Sequence, residues 1–139
     1  MLTKSGVIAE LDKQLQTKLS YLTTSLQQAI DSRNSDTKSS AGDKFETSRE
    51  MAQIEIHKIE TEISKTQQFI TDLFSKVKQF IITDKGAFLI SIPFGKLMVD
   101  DTAVFCISNS APISTYLLGN KAGESFSFNS VSYTLKSIF

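Results

Sequence analysis

Ser39-Ser40-Ala41-Gly42-Asp43-Lys44-Phe45-Glu46-Thr47-Ser48-Arg49-Glu50 decides how the rest of the chain reads. A polar, glycine-containing bend passes here into a helix that opens with two carboxylates three residues apart. Upstream, apolar residues fall at Ile8, Leu11, Leu15, Leu19, Leu22, Leu26 and Ala29 or Ile30. Steps of three and four keep these on one narrow stripe, the pattern of a coiled-coil seam rather than the broad face of a core helix. No Gly or Pro interrupts the chain between Val7 and Gly42. Downstream, a second stripe runs through Phe45, Arg49, Ala52, Ile56, Ile59, Ile63, Thr66, Ile70, Leu73 and Val77. Two stripes joined by a polar bend predict an antiparallel two-helix coiled coil over residues 1–78, with its tip near 34–46. Arms of about 30 residues, at ~1.5 Å per residue, set the bend on the order of 40 to 50 Å from the base.

A hairpin of this kind has no interior beyond its seam, so it needs an anchor. Residues 79–139 read as that anchor, a small β-rich domain with one short helix, which makes the fold class α+β. Gln79–Thr83 and Ala87–Ile92 flank a turn at Asp84-Lys85-Gly86, and Pro93-Phe94-Gly95 breaks the second run. Lys96–Val99 and Ala103–Ile107 are strands around an Asp100-Asp101 turn. A short helix follows, with Ser110 as its cap, Pro112 in its first turn, Leu117 and Leu118 buried, and Gly119 at its end. Glu124–Phe128 and Ser132–Ile138 alternate around Asn129-Ser130 as a hairpin with one packed face.

Composition excludes several classes. Lys plus Arg equals Asp plus Glu, 15 of each, and the balance holds in both halves: 11 of each up to Lys78 and 4 of each beyond it. Autonomous nucleic-acid binding needs clustered cations, so it is not expected. No apolar run approaches the ~20 residues of a bilayer helix, so no membrane partner is expected and the location reads as cytoplasmic. Cys106 and His57 are each the only one of their kind. Cys106 lies in an apolar run and reads as a buried thiol, His57 as a solvated helical residue, and neither supports nucleophilic or zinc chemistry. The mainly polar positions outside the two seams favour a monomer over a four-helix bundle.

The carboxylates of the bend are what is left. Asp43, Glu46 and Glu50 share one flank of the second helix, away from its seam. Two carboxylates complete a Mg²⁺ shell only with oxygens from elsewhere, so Asp43 and Glu46 fit a site whose other ligands belong to another macromolecule. The same spacing is also that of a capping box, with Asp43 as cap and Glu46 reaching back to its amide. Ser40-x-x-Asp43 offers that arrangement one turn earlier.

A long helical hairpin, a Gly42-Asp43-x-x-Glu46 tip and a β-rich C-terminal domain together resemble the Gre-type transcript cleavage factors, a transcription elongation factor family of bacterial RNA polymerase. The run Pro112-Ile113-Ser114-Thr115-Tyr116-Leu117-Leu118-Gly119-Asn120-Lys121-Ala122-Gly123-Glu124 is similar to a signature of that family's FKBP-like domain. The resemblance spans most of the chain. It implies an FKBP-like domain at 79–139 and RNA polymerase as the partner, with the coiled coil inserted into the polymerase's secondary channel. It further implies that Asp43 and Glu46 act in trans, helping to hold a Mg²⁺ ion shared with the polymerase for hydrolysis of backtracked RNA. Such a protein is an accessory factor rather than an enzyme and has no cofactor of its own. Phe45 stands where that family commonly has a basic residue, and Arg49 near a position that is often acidic. These departures point to an alternative, a channel-binding regulator without cleavage activity. A coiled-coil structural or assembly module is the reading from a different class.

Overall fold

Heptad spacing with no Gly or Pro beyond the first turn gives two long helices, α1 (Lys4–Asp36) and α2 (Gly42–Ser75). The computed structural model describes residues 2–36, 42–77 and 79–139, with side chains described for all of these except 35, 36 and 42–47. Six strands and a third helix follow: β1 (Gln79–Thr83), β2 (Gly86–Ser91), β3 (Gly95–Val99), β4 (Thr102–Ser108), α3 (Pro112–Gly119), β5 (Ser125–Phe128) and β6 (Val131–Ile138). The α+β class is as expected. The chain divides into two compact units, Gln14–Ile70 and a second made of Met1–Lys13 with Thr71–Phe139.

Gln14–Ile70 is helical wherever it is described. Lys18 Nζ lies 3.8 Å from Glu62 Oε2, and Arg33 Nη1 donates to Gln53 Oε1 at 3.0 Å. An early residue of α1 thus meets a late one of α2 and the reverse, so the helices pack antiparallel. Leu15, Leu22, Ile56, Ile59 and Thr66 are buried on the facing stripes, while Leu19, Leu26, Ile63 and Ile70 are half-buried. Thr66 keeps its seam position because its hydroxyl donates to the Glu62 carbonyl at 2.8 Å, which satisfies the one polar atom it buries. Arg49 departs from the expected seam and is exposed. Placing a guanidinium in an apolar stripe costs more desolvation than the stripe's continuity gains.

In the second unit the strand order is β3-β4-β2-β1-β6-β5. Neighbours are antiparallel except β2 and β4, which run parallel in the register Leu89↔Cys106 and Ser91↔Ser108. Between them the chain passes through β3 at the sheet edge, and α3 then carries it from β4 to the opposite edge at β5. The β3–β4 and β5–β6 hairpins each turn on two residues with positive φ, Asp100 and Asp101 (49° and 61°) and Asn129 and Ser130 (52° and 65°). Paired left-handed residues match the right-handed strand twist, and Asp and Asn tolerate that region better than most.

Pairing register puts Ile81, Phe88 and Ile90 on one face, where they pack with Leu135 and with Leu117 of α3. Phe80, Leu89, Leu97, Val104 and Cys106 fall on the other face, each no more than 1% exposed. The helical ends within this unit, 4–13 and 71–75, carry the completely buried Val7, Leu11 and Leu73. They are the elements of the unit left to cover the second face. Val7, rather than the expected Ile8, is the buried residue of the first turn, and Ile8 is half-buried.

Two expectations for α3 are corrected. Ser110 does not cap it: the N-cap residue is Ala111, which makes no side-chain cap, and the Ser110 hydroxyl pairs instead with that of Ser108 at 3.0 Å. Pro112 at the first helical position lacks an N–H to satisfy, which lowers the need for a cap. Leu117 is buried but Leu118 is 39% exposed.

Beyond the bulge at Ile82/Thr83, Asp84 prolongs the β1–β6 pairing. Its backbone N–H donates to the Thr134 carbonyl at 3.1 Å, and its carboxylate accepts from the Thr134 N–H at 2.8 Å. That second bond, helped by the Lys85 ammonium, holds the Asp84 carboxyl below its ordinary acidity value. A depressed carboxyl stabilises the fold above its unfolded pKa and loses that contribution as pH falls through the folded value. Asp84→Asn should therefore lower the melting temperature at neutral pH. The difference from wild type should shrink as the pH drops below the carboxylate range, and a pH-independent difference would contradict the assignment.

Candidate functional site

The first turns of α2 carry Asp43 and Glu46, one helical turn apart along the backbone. Their side chains lie outside the described residues, as do those of Ser40, Lys44 and Phe45. The metal-ligand and capping arrangements proposed for Asp43 and Glu46 therefore both fall outside what the structure describes. Downstream, Arg49 and Glu50 are exposed. Arg33 of α1 reaches Gln53 of α2, while its Nε is buried without a hydrogen-bond partner.

On the same helix Glu50, Gln53, Ile54 and His57 line an open depression of about 520 Å³. Ile54 is 69% exposed and neighbouring Met51 66%, so this flank of α2 carries apolar side chains away from the seam. His57 is exposed, as its position one residue past Ile56 implies. Among the described residues no three His, Cys, Asp or Glu side chains converge to hold a metal ion.

Cys106 is buried on the second face of the sheet, where burial alone pushes its thiol up to about 12. The thiolate form is thereby suppressed at neutral pH, so this sulfur is a poor nucleophile.

Sequence reasoning missed one feature of the sheet unit. A cavity of about 430 Å³ opens where the parallel strands β2 and β4 end, lined by Ser91, Ile92, Pro93, Ser108, Asn109 and Ser110. Asp72 and Lys76, at the end of α2, complete it and are paired at 3.5 Å. Ser91 is 6% exposed, and its hydroxyl has no hydrogen-bond partner. In the sequence Ser91 falls inside one strand candidate and Ser108 just past another, with no local signal that joins them. Their convergence depends on the parallel pairing of β2 with β4, which no local pattern specifies. No family model, curated protein or solved structure matches this chain.

Proposed function

We propose that this chain is an accessory factor of RNA polymerase that enters the secondary channel with its helical hairpin and stimulates cleavage of backtracked RNA. The observation that carries the reading is the packing of Gln14–Ile70: two antiparallel helices bury a narrow seam, and α2 resumes at Gly42 directly before Asp43 and Glu46. A slender unit with a largely polar exterior suits a channel, and a carboxylate pair in the first turns of α2 suits a metal site completed by another molecule. Two hard oxygen donors one turn apart fit Mg²⁺, which usually takes one or two protein carboxylates and fills its octahedron with phosphate oxygens and water. When bound, the ion would supply an activated water for phosphodiester hydrolysis. Asp43 and Glu46 would hold and orient it, while the other ligands come from the polymerase and its RNA. The sheet unit is then the FKBP-like docking domain, and the protein works as a cytoplasmic monomer with no catalysis of its own.

Asp43→Asn and Glu46→Gln test this in a cleavage assay on stalled, backtracked polymerase. Each is expected to remove most of the stimulated cleavage while leaving binding to core polymerase and the melting temperature nearly unchanged. A loss of ~1 kcal/mol in stability with no transcriptional effect would instead identify the two residues as a helix cap. A second reading, a channel-binding regulator without cleavage, is favoured by exposed Arg49, which lies one turn past Glu46 and opposes the field of the carboxylates. Binding to polymerase with no cleavage by the wild-type protein would select it.

A further inference from the structure

The outward side of α2 carries a pattern that complements itself. Glu50, Ile54 and Lys58 follow one another at steps of four, so they form a single ridge along the helix surface. Gln53 and His57 form the row beside it. The open depression of about 520 Å³ is lined by Glu50 and Ile54 of the first row and by Gln53 and His57 of the second. Four residues spaced in this way are the hole that receives a side chain of a packed helix. The hole faces away from the seam, where Ile56 and Ile59 of the same helix are buried. Ile54, 69% exposed, stands on the ridge itself, and Met51, 66% exposed, flanks it on the other side. Among the described residues neither Glu50 nor Lys58 makes a salt bridge.

A ridge that reads negative, apolar, positive fits its own reverse. Set antiparallel against a second copy, Ile54 meets Ile54, and each Glu50 meets the partner's Lys58, twice by symmetry. A parallel copy would place Glu50 against Glu50 and Lys58 against Lys58. Ridges of this i±4 kind cross at about −50° in the commonest class of helix packing, each lying in the groove beside the other. Here that groove is the depression. We propose that a second copy of this chain docks on this face, giving a two-fold dimer in which the Glu50-Ile54-Lys58 ridges cross antiparallel at Ile54. The contact covers only two to three helical turns, well short of the roughly 800 Å² per partner of a stable interface, so the dimer is weak and reversible, with Kd on the order of 10 to 100 µM. Every residue it uses lies in Gln14–Ile70, and it does not rest on the polymerase reading. Under that reading the monomer is the form that enters the channel, and dimerisation competes with entry.

Sedimentation equilibrium of the full chain, from micromolar to millimolar concentration, tests the dimer. A monomer–dimer equilibrium that weakens with added salt is expected. Ile54→Asp should leave only monomer. Glu50→Lys and Lys58→Glu should each, alone, weaken association by about tenfold or more, because each sets like charges together at both ends of the ridge. An equimolar mixture of these two variants should associate again, since a heterodimer pairs opposite charges at both ends. The three positions are exposed, so the melting temperatures should stay near that of the wild type. A dimer that survives Ile54→Asp, or a mixture no tighter than its components, would overturn the proposal. A wild-type chain that stays monomeric at millimolar concentration would also overturn it and leave the face to a helix of another protein.

Discussion

A fragment of residues 79–139 is expected not to fold cooperatively, although it contains all six strands and α3. The reason is the second face of the sheet. Phe80, Leu89, Leu97, Val104 and Cys106 are 0–1% exposed there, and α3 packs on the opposite face. Removing the helical ends 1–13 and 71–78 takes away Val7, Leu11 and Leu73, each completely buried in the same compact unit. Exposing five buried side chains at ~1.5 to 3 kcal/mol apiece costs on the order of 10 kcal/mol, an upper estimate because unfolded chains bury some of this area already. That matches the whole stability of an ordinary domain, about 5 to 15 kcal/mol. The fragment should therefore show a broad, non-cooperative thermal transition and collapsed amide dispersion. In the full chain, Leu11→Ala should cost about 2 to 5 kcal/mol and be felt by probes in the strands as well as in α1. A sharp, reversible melt of the isolated fragment would show that the second face needs no cover from the helices.

Most of the elements were legible because their signals are local. Seam spacing in α1 and α2, the glycine and Asp-Asp turns, and the alternation around Asn129-Ser130 each lie within a few residues, and the six strands fall within a residue or so of where these signals put them. What local pattern does not carry is which strands become neighbours. β2 and β4 are separated in sequence by β3, which pairs with the far side of β4, so their parallel register is not set by any adjacent turn. Arg49 shows the limit of periodicity itself. It sits at a seam position by count, but the desolvation cost of its charge exceeds the gain from keeping the stripe continuous, and it is exposed. Ser110 shows a competition between two local bonds, in which pairing with the Ser108 hydroxyl replaces the cap.

The same distinction separates the carboxylate pair from the cavity of the sheet unit. Asp43 and Glu46 are readable as a pair because they lie on one helix, three residues apart, and their chemistry follows from spacing. Ser91, Ser108 and Lys76 are far apart in sequence and become neighbours only through tertiary structure. As a metal site, the first would depend on a partner to finish it. The second includes Ser91, whose buried hydroxyl is unsatisfied, a cost of about 1 to 3 kcal/mol.

Leu117→Ala should be one of the most damaging single substitutions in the sheet unit, and Leu118→Ala one of the mildest. Successive helical residues are ~100° apart, so a helix lying on a sheet can turn only one of the two inward. Leu117 is that residue: it is 0% exposed and packs with Ile81, Phe88, Ile90 and Leu135, with Ile113 one turn before it against the same cluster. Truncating it removes the helix's central contact and leaves a cavity over β1 and β2, for about 2 to 5 kcal/mol. For a chain of 139 residues that shifts the melting temperature by on the order of 10 °C. Leu118, 39% exposed, should cost no more than about 0.5 kcal/mol. Ser114, 0% exposed, constrains the rotation of the helix further, because its hydroxyl donates to the Ser108 carbonyl at 2.7 Å and ties the first turn to the end of β4. Denaturant titration of the two alanine variants decides the matter. Equal losses would mean that α3 is rolled relative to the sheet, which would move the Ser114 bond and the walls of the adjacent cavity with it.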